Sequence, residues 1–351
     1  MKTQTQPTIR LGFLLSTLAI VSGCAFQESE THETVTEHSA AFAFQNTVSL
    51  NGGGINGGGI NGGGINGGGI NGGGINGGGI NGGGINGSNA NLVGYTFDLT
   101  TVSGATINGA TINGAWIENG TLKAMREDGT VVSGQALVGA KVTGNLDNGE
   151  SVTLRLDALE SFTSAVGTAL PRYTISYTGP NSTTRAYVCG KNDAGEPLKT
   201  IPIAGRWNFE QGVPEGGSKE ESSTLVTFAC QGFAVYKCID YGYPPWKKVN
   251  GVSLSNHHQA CVRMLRADYC GDGRSWTVNG TVINMYDSLG IQLDTESWAI
   301  EAEWSIEGAR CLSHQRIQSL GTAPDCPFER STAICGNPAQ WGPTLHVSEA
   351  P

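Results

Sequence analysis

Ser255-Asn256-His257-His258-Gln259-Ala260-Cys261-Val262-Arg263-Met264-Leu265-Arg266-Ala267-Asp268-Tyr269-Cys270-Gly271-Asp272-Gly273 is the stretch that decides the fold. Its first part, 255–267, spaces Val262 and Leu265 for the core face of a short helix, with Ser255 or Asn256 as N-cap. Its second part is turn chemistry: Asp268 and Asp272 among glycines end the helix and reverse the chain. Cys261 and Cys270 stand one in each part, so helix and turn both belong to whatever framework the cysteines build.

Outward from this stretch the chain reads as strands. Ser151–Leu156, Tyr173–Tyr177 and Thr224–Cys230 have strand patterning, and Trp298, Ile300, Ala302 and Trp304 alternate onto one face. Glu127-Asp128-Gly129 and Asp147-Asn148-Gly149 mark turns, and Asn279-Gly280 within Trp276–Ile283 signals a hairpin. The expected fold class is mainly β with a few short helices: a small α+β disulfide-stapled domain over 150–340, followed by an irregular tail at 341–351.

The cysteines set the compartment. Of nine, eight lie in the last part of the chain: Cys189, Cys230, Cys238, Cys261, Cys270, Cys311, Cys326 and Cys335. An even set of this kind reads as disulfides of an exported protein, with the pairing left open. The shortest gaps leave seven or eight residues between cysteines, which zinc sites do not favour. The ninth, Cys24, ends Val21-Ser22-Gly23-Cys24, after an apolar run from Leu11 to Ile20 preceded by Lys2 and Arg10. A positive start, a short apolar core and small residues make an export signal over 1–23, too short for a membrane span. The Val-Ser-Gly-Cys end resembles the lipobox of bacterial lipoproteins. That resemblance implies acyl chains on Cys24 holding the protein in the envelope, with Ala25 after the cysteine pointing to the outer membrane.

The formal charge is −9, and loss of the signal with Lys2 and Arg10 makes it −11. An acidic chain without a basic stripe speaks against a nucleic-acid partner. Residues 24–50 read as a polar tether. Residues 51–89 hold seven copies of Asn-Gly-Gly-Gly-Ile from Asn51 to Ile85. Glycine at this density excludes a stable helix, and the period of five excludes collagen. Two readings stay open: a flexible spacer spanning about 33 Å, or a β-solenoid with one isoleucine per side inward. Burying one isoleucine returns about 2–3 kcal/mol, against about 5–10 kcal/mol to order five residues, which favours the spacer. Within 90–149 the period persists at Ile107, Ile112, Ile117 and Leu122, each preceded two places earlier by a small residue. This resembles the pentapeptide-repeat family and implies a short β-solenoid-like segment.

Ala267-Asp268-Tyr269-Cys270 resembles the signature of the bacterial ADYC domain. The separated matches Ile203–Trp207, Phe228–Cys230, Lys237-Cys238, Gly242–Trp246, Ile283–Asp287 and Gly308–Cys311 extend the resemblance over roughly 150–315. That family carries no assigned activity, so the resemblance names a domain and not a reaction.

The candidate chemistry is sparse. Asp287-Ser288-Leu289 brushes against an esterase signature, but Tyr286 replaces its glycine and no Asp-x-x-His follows to supply a base. His257, Asp268 and Asp272 are weak candidates for a metal, with Cys261 one helical turn from His257; no cofactor is expected. Trp207, Tyr241, Tyr243, Trp246, Trp276, Trp298 and Trp304 fit either a binding groove or a stapled core. The expected function is that of a membrane-anchored envelope or surface module of unassigned activity, binding or structural, with a protein or polysaccharide as its partner. The alternative is a hydrolase of envelope or extracellular polymers, and an open cleft holding a free histidine beside Asp, Glu or Ser would favour it.

Overall fold

The computed structural model describes residues 92, 95–179, 182–277, 280–320, 326, 335–336 and 344–351. The chain divides into Met1–His38 and Ser39–Pro351, and every described residue lies in the second unit. The expected signal, Cys24, the tether and the Asn-Gly-Gly-Gly-Ile tract fall outside the described residues.

The strands in chain order begin with β1 (Thr96–Ile107), β2 (Ala110–Glu118), β3 (Thr121–Arg126), β4 (Val131–Ser133), β5 (Lys141–Leu146), β6 (Ser151–Thr163), β7 (Ala169–Thr178), β8 (Ala186–Tyr187) and β9 (Thr200–Ala204). After a ribbon of β10 (Arg206–Trp207) and β11 (Lys219–Glu220) come β12 (Leu225–Cys230), helix α1 (Ala234–Asp240), a second ribbon of β13 (Lys248–Val249) and β14 (Val252–Ser253), and helix α2 (Ser255–Arg266). The chain ends with β15 (Asn284–Asp287), β16 (Ala299–Ser305), β17 (Gly308–Leu312) and β18 (His346–Ala350).

β1, β5, β6, β7, β9 and β12 pair successively, and β12 pairs with β1 again, which closes a six-stranded antiparallel barrel. Closure removes the sheet edges. Alternating side chains fill the interior: Val152, Leu154 and Leu156 from β6; Tyr173, Ile175 and Tyr177 from β7; Phe97, Leu146, Val226 and Phe228 from their neighbours. Each contributes roughly 1.5–3 kcal/mol of burial. Gly144 on β5 makes room for this core, because a Cβ there would lie 2.5 Å from Phe97 Cζ.

The period-five stretch does not coil. β1–β2 and β2–β3 are antiparallel hairpins that extend the sheet from the second half of β1, with β4 beyond them. Asn108-Gly109 and Asn119-Gly120 hold positive φ at both turn positions, as a two-residue hairpin turn requires. The β5–β6 pairing crosses the boundary expected between residues 149 and 150, so one sheet spans both segments.

Against the barrel stands a second layer, the four-stranded sheet β15-β18-β16-β17 with α1 and α2. Its core buries Trp207, Tyr243, Tyr269 and Trp304 completely. Three expectations change here. The tail is not irregular throughout: β18 lies inside the sheet between β15 and β16, with both its edges hydrogen-bonded. The hairpin expected over 276–283 is not formed by its described flanks, which carry no strand; the Trp276 amide instead donates to the Arg266 carbonyl at 3.1 Å. The N-cap of α2 is Leu254, while Ser255 Oγ donates to Glu221 at 2.8 Å.

All eight cysteines pair: Cys189–Cys230, Cys238–Cys261, Cys270–Cys326 and Cys311–Cys335. The first links the end of β12 to the turn after β8, and the second ties α1 to α2. Loops of 23 to 56 residues are each worth roughly 3–4 kcal/mol in the chain-entropy account. Peptide mapping of the unreduced protein should recover these four pairs and no free thiol among the eight; two or more free thiols would overturn the framework.

Candidate functional site

The Ala267–Cys270 turn is built from α2 outward. Ala267 ends the helix in the left-handed region at φ 52° and donates its amide to the Arg263 and Met264 carbonyls. Asp268 then folds the turn around its own carboxylate, which accepts from the Asp272 amide at 3.1 Å, the Gly273 amide at 3.0 Å and the Arg263 guanidinium. The Arg263 and Asp268 side chains are 2% and 1% exposed. Asp272 accepts from Arg274, through the backbone amide at 3.1 Å and Nε at 2.7 Å. Both expected metal candidates in this turn are thus partnered by arginines and amides. Among the described residues no group of three or more His, Cys, Asp or Glu is placed to hold a metal ion. Cys261, the neighbour of His257 on the helix, is committed to Cys238. Gly271 permits the turn to lie on the β16–β17 connection: its φ is +67° and a Cβ would meet the Glu307 carbonyl oxygen at 1.8 Å.

Tyr269 points into the core and stacks on Trp304, with ring centroids 5.5 Å apart. Its hydroxyl donates to Glu301 Oε1 at 2.5 Å. Glu301 also receives both arms of Arg316, at 2.7 and 2.9 Å, and the Ser348 hydroxyl at 2.8 Å, while Trp304 Nε1 donates to Ser348 Oγ at 2.8 Å. Burial and the adjacent Glu301 charge both raise the Tyr269 pKa, keeping the phenol a donor. Burial lowers the Arg316 pKa, but the facing Glu301 charge outweighs it and the net shift is upward. The alternating pattern at 298–304 would put Glu301 on an outer face. It is buried because β16 is an interior strand covered by α2, and bulges at Ile300/Ala302 and Glu303/Trp304 break strict alternation.

The serine dismissed for want of a downstream base does have a histidine beside it, supplied from upstream. His257 Nε2 lies 3.4 Å from Ser288 Oγ, and Ser288 is exposed. Burial lowers the His257 pKa, against the Asp287 charge and the Ser253 carbonyl, which raise it. The surroundings are not those of an acyl-transfer site. Asp287, the carboxylate beside Ser288, accepts from Tyr243 Oη at 2.7 Å and from the Leu289, Ile291 and Gln292 amides, and not from the histidine. Those amides are thereby spent on the loop itself and are not free to form an oxyanion hole.

The open feature is a cleft of about 1070 Å³ on the other side of the motif. Tyr269, Cys270 and Gly271 line it, together with the start of α2, the β10–β11 ribbon, the Asn208–Ser218 loop and the β16–β17 turn. Its described lining includes no histidine and none of the seven aromatics singled out in the sequence. Trp207, Tyr243 and Trp304 are core, and Tyr241, Trp246 and Trp276 pack against it. Gln259 reaches the cleft from α2 and is 7% exposed; its Nε2 donates to the Gly217 carbonyl at 2.9 Å, and its Oε1 has no donor among the described residues. The cleft is invisible in the sequence because its walls come from four separated segments.

No curated protein and no solved structure matches the chain. The family model of the ADYC domain matches residues 134–318, more than half of the chain, from the end of β4 through both helices to Gln318. The chain therefore belongs to the ADYC domain family.

Proposed function

We propose that this protein is an exported, lipid-anchored envelope protein whose disulfide-stapled domain works by binding a partner in the cleft beside Tyr269–Gly271. The observation that carries the reading is the contrast between that cleft and the rest of the domain. The cleft is open and holds no histidine among its described residues, while six of the seven aromatics, all but Trp298, lie in or against the core, and His258 and His346 are fully buried away from it. Anchoring is supported by the Val21–Cys24 signal and by cysteines that need an oxidising compartment. The Asn-Gly-Gly-Gly-Ile tract would then hold the domain away from the membrane. The hydrolase alternative rests on the Ser288–His257 contact alone.

One experiment addresses both halves. Cells expressing the chain are fed radiolabelled palmitate, and the purified protein is treated with a fluorophosphonate probe. Palmitate should label the natural chain and not Cys24→Ser, which should leave the membrane fraction; a labelled Cys24→Ser protein would remove the lipid anchor. The fluorophosphonate should leave Ser288 unmodified. Labelling of Ser288 that is lost in His257→Asn would replace the binding reading with the hydrolase.

A further inference from the structure

The charges around the cleft are unbalanced once their partners are counted. Of its lining cations, Arg206 lies 3.7 Å from Asp147, Lys219 bonds Glu221 at 2.8 Å, and Arg263 is locked to Asp268. Each of these pairs cancels. Glu210, Glu215, Glu220 and Glu307 remain, all exposed and without an ion-pair partner among the described residues, against Arg310. Four negative charges and one positive leave −3 facing the opening. Concave walls of one sign focus the field and raise the local concentration of cations.

A second observation points the same way. Gln259 Oε1 is a buried acceptor on the cleft wall that no group among the described residues satisfies. An unmet buried acceptor costs about 1–3 kcal/mol, which a ligand N–H could recover. The walls also offer apolar surface between the carboxylates, from Pro214 and from Ile306, which is 38% exposed. Acceptors alternating with apolar patches suit lysine and arginine, whose methylene stems lie on apolar surface while the charged head stays at the rim. An amino sugar has no such stem.

We propose that the cleft takes a peptide segment carrying lysine or arginine side chains. The proposal rests on the cleft being the binding site. It is tested with the full chain by fluorescence anisotropy, using labelled tetralysine amide, the same peptide acetylated on every Nζ, and a glucosamine tetramer. Tetralysine should bind, weaken with added salt, and lose about tenfold in affinity in Glu210→Gln/Glu220→Gln/Glu307→Gln. The matched triple Glu127→Gln/Asp193→Asn/Glu196→Gln, outside the cleft, should bind as the natural chain does. Asn256→Trp, an exposed position on the wall, should block binding, and thermal melts should show every variant folded. If the acetylated peptide binds as tightly as tetralysine and Asn256→Trp abolishes both, the charge inference fails and the cleft reading survives. If tetralysine binds equally to the natural chain, both triples and Asn256→Trp, cleft and charge both fail. Binding of the glucosamine tetramer alone would replace the peptide with an amino sugar, and binding of no probe would overturn the inference.

Discussion

Glu301→Gln is expected to destabilise the domain by about 3–5 kcal/mol, because it strands a buried arginine. The Arg316 and Glu301 side chains are both 0% exposed, and Arg316 also donates to the Met264 carbonyl at 2.8 Å. The amide keeps the shape of the carboxylate and removes its charge. The guanidinium then faces a neutral oxygen in a medium that cannot solvate it, and Tyr269 and Ser348 lose their charged acceptor. Urea unfolding of the oxidised protein measures the loss. The double variant Glu301→Gln/Arg316→Met should recover part of it, since the unpaired charge leaves with the arginine. A loss below about 1 kcal/mol would mean that the pair contributes no more than an exposed salt bridge.

Acid should weaken the fold well before its carboxylates titrate. His258 and His346 are both 0% exposed, and each uses Nε2–H to donate to a carbonyl: Val235 at 3.0 Å and His257 at 2.8 Å. Their Nδ1 atoms have no partner among the described residues, so a second proton would be buried without an acceptor there. Burial, the main cause in both, pushes His258 down to about 3 and His346 down to about 4. Around His258 the Glu221 charge pulls the other way, while the Lys219 charge adds to the depression; His257 opposes protonation of His346 while Asp287 favours it. A depressed histidine contributes fully above its unfolded pKa of about 6.5, and that contribution is lost as pH falls toward the folded value. Two such histidines lose roughly 5 kcal/mol between pH 6.5 and 4.5. Urea midpoints at pH 7.5 and pH 4.5 read this directly, and equal midpoints would show that both rings accept protons in the native state.

The reach of the sequence can be judged residue by residue. The helix over 255–266 and the turn after it were legible because local spacing and local turn chemistry act within one segment. The strands at 151–156, 173–177 and 225–230 were legible for the same reason. The period-five stretch is ambiguous on its own: small–polar–aliphatic spacing suits a solenoid coil as well as a hairpin, and the Asn-Gly pairs that select the hairpin are also part of the repeat. His346–Ala350 carries no local signal of its place in a sheet, because its partners, β15 and β16, lie more than forty residues away along the chain. Glu301 and the Ser288–His257 contact escaped for the same physical reason, since 32 and 31 residues separate each from its partner.

By itself, then, the sequence determined what acts locally or by counting: an even cysteine set after Cys24, a helix, a turn, an acidic balance and membership of a domain family by ordered motifs. Only the tertiary structure decided which cysteines pair, that six strands close into a barrel, that Asp268 and Tyr269 hold the core together, and that a cleft opens beside them. Pairing, closure and concavity depend on which distant segments meet, and that is set by the joint packing of the apolar faces, which no single segment records.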